Sequence, residues 1–339
     1  MSELVKIAVD AMGGDNAPEQ IVKGAVEAVG ESKEIKVFLT GPKDIVAAEL
    51  SKYTYDKERI ETVDAPEVID NSESPVAAVR AKKNASVVVA QKMVKEKKAD
   101  AVVSAGSTGA VLVGGQLFVG RIKGVERSPL APLIPTTKGV SLLIDCGANV
   151  DARPSHLVQF AKMGSIYMEN VVGKKNPTVA LVNIGAEEEK GNQLVKETMP
   201  LLKACKDINF IGSIEAREIP NGFADVIVCE AFTGNVILKM YEGVSGTLFK
   251  KIKEAMMSSF RTKLGALLIK PALKGLVKEF DASEYGGAPM LGLNGLVIKS
   301  HGSSKAKDIR MSVLKCVPFV QNDVTGKIKT HILADRTES

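Results

Sequence analysis

The chain has 339 residues, 45% hydrophobic and 25% charged, the profile of an ordinary globular protein rather than a disordered or fibrous one. The 45 Lys and Arg against 40 Asp and Glu leave a formal charge of +5, too small an excess to imply a nucleic-acid partner. With no Trp, 5 Tyr and 10 Phe the chain also lacks the aromatic platforms on which bases stack, and no apolar run approaches the roughly 18 to 20 residues that cross a bilayer.

From the N-terminus onward, short β-branched runs lead through polar, glycine-containing loops into longer stretches with helical spacing. This is the pattern of βα units and a mainly parallel sheet. The pattern predicts strands at residues 6–10, 36–40, 60–64, 101–104, 141–145, 178–183, 209–211, 226–230 and 297–300. It predicts helices at 18–29, 75–97, 108–119, 154–171, 193–203, 235–257 and 304–319. No Ser/Gly- or Pro-rich linker divides the chain. Residues 1–320 are therefore expected to form a single α/β domain with a helical projection at about 250–282, and 321–339 a loosely held polar tail. At this length the domain holds either one large sheet or two closely associated halves. Cys146, Cys205, Cys229 and Cys316 form no close pairs of the zinc or redox kind, and the first strand begins with no apolar signal region before it. Reduced thiols in a cytoplasmic protein are expected.

Six strands are followed by loops that mix glycine with small hydrogen-bonding residues: 10–15, 104–109, 145–149, 183–192, 232–235 and 300–304. In a parallel sheet such loops emerge at one carboxyl edge, where open α/β folds bind ligands, so they are expected to converge on one crevice. Glycine admits close backbone approach, and Ser, Thr and Asn ahead of a helix add donors, which makes the set an anion site. Asp10, Gly13, Gly14, Ser107, Thr108, Asn149, Asn192, Thr233 and His301 are the expected phosphate-binding residues. Lys190, in a helix-opening Lys-Gly-Asn string, and Asn235 are the expected catalytic pair, balancing phosphate or a developing oxyanion. Dinucleotide and P-loop signatures are absent, as is a nucleophile elbow, and none of the three histidines has a motif partner for a hydrolase triad. Asp10, Asp15 and Asp145 lack recognisable metal-ligand spacing, so neither metal nor cofactor is expected.

These strings resemble the bacterial phosphate acyltransferase family, the PlsX-type acyl-ACP:phosphate acyltransferases. The resemblance runs from Ile7-Ala-Val-Asp-Ala-Met-Gly-Gly-Asp15 through the segments at 75–84 and 119–124, Gly147-Ala-Asn-Val-Asp151, Glu189-Lys-Gly-Asn192 and Phe232-Thr-Gly-Asn-Val236. It continues to Tyr285-Gly-Gly-Ala288 and His301-Gly-Ser-Ser304 and covers nearly the whole chain. It implies a three-layer α/β/α fold akin to isocitrate and isopropylmalate dehydrogenases and phosphotransacetylase, in a homodimer. It further implies acyl phosphate formation from fatty acyl carrier protein and inorganic phosphate, early in phospholipid synthesis, with a membrane glycerol-3-phosphate acyltransferase consuming the product. Ser107 departs from the family pattern, where asparagine is more usual, which bears on fine specificity.

Phosphate is largely dianionic at neutral pH, with a second pKa of about 6 by analogy with phosphoesters. A departing pantetheine thiol resembles cysteine, near roughly 8.5. Positioning and charge compensation therefore suffice, without a covalent nucleophile. In the projection, Met257, Phe260, Leu264, Leu267 and Leu268 recur at helical spacing, Pro271 interrupts, and Lys270, Lys274 and Lys278 form a basic row. That combination suits either a helix on an anionic membrane or a dimer-forming hairpin, with Phe260, Leu264, Leu267 and Leu268 as the expected membrane contacts. The alternatives are a phosphotransacetylase-like enzyme using a coenzyme A thioester and a non-catalytic scaffold for the carrier protein. Arg80, Lys82 and Lys83 are candidates for a basic face that meets the acidic carrier.

Overall fold

The computed structural model describes residues 4–280 and 282–337. In chain order the elements are β1 (Val5–Asp10), α1 (Glu19–Glu31), β2 (Ile35–Gly41), α2 (Lys43–Leu50), β3 (Ile60–Asp64), α3 (Pro75–Ala81), α4 (Ser86–Lys95), β4 (Ala101–Ser104) and α5 (Thr108–Gly114). Then come β5 (Leu133–Thr136), β6 (Gly139–Ile144), α6 (Pro154–Tyr167), β7 (Thr178–Val182), α7 (Gln193–Ala204), β8 (Asn209–Ile214) and β9 (Val226–Val228). α8 (Ala231–Met256), α9 (Phe260–Glu279), β10 (Ala288–Met290), β11 (Leu296–Lys299), α10 (Ala306–Gln321) and α11 (Val324–Thr337) follow.

Among the described residues the strands form a six-stranded sheet, β10-β11-β4-β1-β2-β3, and a five-stranded sheet, β5-β6-β9-β7-β8. Only the β10–β11 and β5–β6 ladders are antiparallel. Each sheet is covered on both faces because its central strands carry apolar residues at successive positions. In β1, Ile7 and Val9 pack with Ile21 and Val22 of α1 and Ile309 and Val313 of α10, whereas Ala8 faces Val87 and Val88 of α4. In β6, Leu142 and Ile144 pack against Leu157 and Phe160 of α6, and Leu143 packs on the other side, towards Ile237 and Leu238 of α8. Both sheets are therefore three-layered.

The seam between the sheets decides where the ligand cleft lies. The segment around Leu130 runs antiparallel to β10, with Leu130 opposite Met290 and the Ala131 N–H bonded to the Pro289 carbonyl at 3.0 Å. Its other edge takes N–H groups from β6 and the residues after it, Leu143 to Pro132 at 3.0 Å and Cys146 to Leu130 at 2.8 Å. With the antiparallel β10–β11 ladder these make three antiparallel steps between β11 and β6, an odd number, so the parallel blocks run in opposite senses. Lys299 pairs with Ala288, so the carboxyl ends of β11 and β6 arrive at the same level of the seam. The crevice thus lies between two opposed carboxyl edges, not along the one edge that a single parallel sheet presents.

Several expectations need correction. The helix predicted over 75–97 is two helices, α3 and α4, because residues 82–85 turn, and the Ser86 N–H and Glu67 carbonyl bond at 2.9 Å. The short strands β5 and β10 and the helix α2 carry too little periodicity for a sequence reading to detect. The stretch 321–339, expected as a loose tail, holds α11, whose Val324, Ile328 and Ile332 are buried in the main core; residues 338–339 lie outside the described residues. Pro271 sits inside α9 rather than interrupting it. Phe260, Leu264, Leu267 and Leu268 are exposed on α9, at 83%, 55%, 64% and 77%, and Val236, Met240, Val244, Leu248 and Ile252 form an exposed stripe at four-residue spacing along α8. The side chain of Lys278 lies outside the described residues. Among those residues no helix is long and apolar enough to cross a membrane.

Candidate active site

Loops from both blocks close a cleft of about 230 Å³ at the seam. The first block contributes Thr108 at the start of α5, Lys299 and Ser300 at the end of β11, and His301 and Ser304 just beyond. The second contributes Cys146 after β6 and Asn235, Leu238, Lys239 and Glu242 on α8, while Leu130, Pro132 and Leu133 of the seam give an apolar wall. A larger depression of about 620 Å³ lies at the amino edge of the first block, among Lys6, Lys36, Lys97 and Lys98. None of the six glycine loops reaches it, so the seam cleft is the candidate site.

Close packing behind the cleft fixes the first block's loops. The Asp10 carboxylate accepts the Ser104 hydroxyl at 2.6 Å and the Met12 N–H at 3.3 Å. A methyl group on Gly13 would come within 2.6 Å of the Gly106 nitrogen. Gly14 has φ +99°, and its Cβ would sit 2.9 Å from the Gly302 carbonyl, which itself accepts the Asp15 N–H at 2.8 Å. Asp10, Gly13 and Gly14 therefore lock three loops together and do not line the cleft. Burial pushes the Asp10 carboxyl above its ordinary value, opposed by the Ser104 hydroxyl and by the charge of Lys299.

Lys299 carries the electrostatics of the site. It is 9% exposed, its Nζ donates to the Ser300 carbonyl, and burial lowers its pKa to about 8 although Asp10 pulls it back up. Lys239 is near enough to lower it further, while forming its own 2.8 Å ion pair with Glu242. Two ammonium groups thus share the cleft with Asn235, whose side-chain amide makes no hydrogen bond among the described residues, and with His301. The His301 Nδ1 accepts the Ser303 N–H at 3.2 Å and lies 2.8 Å from the Ser303 hydroxyl, so the neutral ring carries its proton on Nε2. This arrangement sets two positive charges and hydrogen-bond donors, the groups that suit an anion, beside an apolar wall. Cys146 lines the cleft, but burial raises its thiol well above the ordinary range, which leaves it protonated and a poor nucleophile.

The second block uses several expected site residues for structure instead. Asn149 donates its amide hydrogens to the Ser128 carbonyl at 3.0 Å and the Asp145 carboxylate at 2.7 Å, leaving only an acceptor, which cannot hold phosphate. The Thr233 hydroxyl and N–H both go to Glu230, the N-cap of α8. Asn192 caps α7 by accepting the Val195 N–H at 2.9 Å. Lys190 is half exposed and pairs with Glu187 at 2.8 Å, a contact that raises its pKa. Neither Lys190 nor Asn192 lines the cleft. Ser107 is the N-cap residue of α5 beside Thr108 and makes no side-chain cap bond. Of the expected residues, the fold brings together Thr108, Asn235 and His301. Lys299 and Lys239 escaped the sequence reading, although a lysine ending an apolar strand directly before a glycine loop, and another one helical turn after Asn235, were visible signals. Among the described residues no group of three or more His, Cys, Asp or Glu side chains could hold a metal.

The sequence profile of the family described as fatty acid synthesis protein matches residues 5–327. The phosphate acyltransferase of Clostridium novyi (strain NT) is 53% identical over 328 residues, covering 97% of this chain and 98% of that one. The phosphate acyltransferase of Alkaliphilus oremlandii (strain OhILAs) is 53% identical over 326 residues, with 96% of each covered. Among solved structures, a phosphotransacetylase from Streptococcus pyogenes superposes with a TM-score of 0.64 at 18% identity, covering 95% of both chains. A 4-hydroxythreonine-4-phosphate dehydrogenase from Klebsiella pneumoniae gives 0.53 at 14% identity, covering 94% of this chain and 98% of that one. At these identities the structural likeness is one of fold alone.

Proposed function

The chain belongs to the phosphate acyltransferase family of fatty acid synthesis proteins and is an acyltransferase, and from that premise we propose that it moves a fatty acyl group from acyl carrier protein to inorganic phosphate. The observation that carries this reading is the cleft itself, where Lys299, Lys239 and Asn235 stand beside the apolar wall of Leu130, Leu133 and Leu238. Cations meet the phosphate and the wall meets the acyl chain. A phosphate oxygen adds to the thioester carbonyl, the C–S bond breaks, and the pantetheine thiolate leaves with its electron pair. Lys299 and Lys239 offset charge on phosphate and on the tetrahedral oxyanion, while Asn235, Thr108 and the His301 Nε2 proton orient the phosphate oxygens. Preorganised donors of this kind contribute about 3 kcal/mol each where measured.

Two further proposals concern assembly. The exposed α8 stripe from Val236 to Ile252 is the dimer face, and the α9 residues Phe260, Leu264, Leu267 and Leu268 touch the membrane peripherally, where a glycerol-3-phosphate acyltransferase takes the product. The protein then works in the cytoplasm at the membrane surface.

The test is mass-spectrometric detection of acyl phosphate from purified protein, phosphate and palmitoyl carrier protein, with palmitoyl-coenzyme A in parallel. Product from the carrier donor supports the assignment. Product from coenzyme A alone favours a phosphotransacetylase-like donor and refutes the carrier. Absence of product from either leaves the non-catalytic scaffold as the better account.

A further inference from the structure

We propose that the depression between Arg121, Arg127 and Arg153 docks the acidic face of the acyl carrier protein, an inference that rests on the donor assigned above. The depression has a volume of about 340 Å³. Among the described residues none of its three guanidinium groups meets a carboxylate; Arg121 and Arg127 reach only the backbone carbonyl of Glu126. The acid within the lining is already committed, because Glu126 takes the His156 Nε2 at 3.1 Å and the Ser155 hydroxyl at 3.1 Å. Exposed Lys123 adds a further positive charge nearby, against exposed Asp151. Three exposed arginines without acid partners repel one another, which makes them ready donors for an incoming anionic surface.

Position ties this surface to the reaction. Arg153 stands at the N-cap of α6, whose dipole adds to the positive field. The segment that holds Arg121 and Arg127 continues directly into the cleft wall at Leu130, Pro132 and Leu133. Leu130 is three positions beyond Arg127, at most about 11 Å of extended chain, so a carrier seated on the arginines has its prosthetic arm within reach of the cleft. The alternative basic face is less available, since Lys82 is paired with Glu73 at 2.6 Å and also bonds the Val68 carbonyl at 2.9 Å. Because the contacts lie outside the cleft, they act on encounter and carrier affinity rather than on bond making.

The experiment measures binding of fluorescently labelled carrier protein by anisotropy at low and high salt, with the unaltered enzyme, the double variant Arg127→Glu plus Arg153→Glu, and the charge-keeping variant Arg127→Lys plus Arg153→Lys. The proposal expects salt-sensitive binding to the unaltered enzyme, weakened about ten-fold or more by the charge reversals and largely kept by the lysines. Palmitoyl-coenzyme A turnover, where it occurs, should stay near the unaltered value in both variants. Binding that survives the charge reversals overturns the proposal, and so does equal loss in the lysine variant, which would mark a structural role. Loss of vesicle binding with carrier binding intact would also overturn it by assigning the arginines to a lipid surface. The donor assignment stands or falls separately, on acyl phosphate formed from carrier donor by the unaltered enzyme.

Discussion

Replacing Lys299 with Met removes a buried charge while keeping most of the side-chain volume, and it separates two effects of opposite sign. The ammonium is expected to hold phosphate through a charge-assisted hydrogen bond worth about 1.5 to 3 kcal/mol. Its loss should raise the phosphate KM by roughly 10- to 150-fold with a smaller change in acyl donor KM. Burial works the other way on stability. The Lys299 pKa falls from 10.5 to about 8 on folding, equivalent to a cost of roughly 3 kcal/mol while the group is charged. Below pH 8 the folded and unfolded chains both carry the proton and that cost is fully present. As pH rises from about 8 towards 10.5 the folded protein sheds the proton first, so this group's contribution to stability improves, and the improvement should be missing from Lys299→Met. The same titration sets activity: phosphate binding should weaken as pH rises through about 8. Steady-state acyl phosphate formation at varied phosphate and pH, with chemical denaturation at matched pH values, reads all three quantities. A variant with unchanged phosphate KM and an unchanged alkaline limb would refute the role given to Lys299.

Other substitutions probe the remaining assignments. Lys190→Ala removes only the exposed pair with Glu187 and should leave phosphate KM close to that of the unaltered enzyme; a loss as large as that of Lys299→Met would return Lys190 to the cleft. Leu267→Glu plus Leu268→Glu, at two strongly exposed positions of α9, should abolish flotation with anionic vesicles while preserving acyl phosphate formation, and unchanged flotation would exclude insertion by this helix. Ile328→Ala, at a fully buried position of α11, should cost about 3 kcal/mol in chemical denaturation, whereas a neutral effect would mean that the C-terminal helix is not part of the core.

Local chemistry was legible in the chain itself. The apolar runs at Ile7, Val102, Leu143 and Val179 read as buried strands, and the glycine-rich strings after them as turns at the strand ends, because both properties depend on neighbouring residues alone. Thr108, Asn235 and His301, which the fold brings to one cleft, were singled out on that basis, as was the family resemblance. Tertiary structure decided what each polar group in those loops had left to offer. Asn149 and Thr233 look like phosphate ligands until their donors are found committed to Ser128, Asp145 and Glu230. Lys190 looks catalytic until it is found paired with Glu187 outside the cleft. Lys299 acquires its lowered pKa because the end of β11 is buried at the seam where two oppositely running blocks meet, near Lys239 of the second block and in spite of Asp10. The commitments of Thr233 and Lys190 run to residues only three positions away, but which of the possible local partners is taken depends on the folded backbone, and burial and the relative sense of two sheets depend on segments far apart in the chain, so no local pattern encodes them.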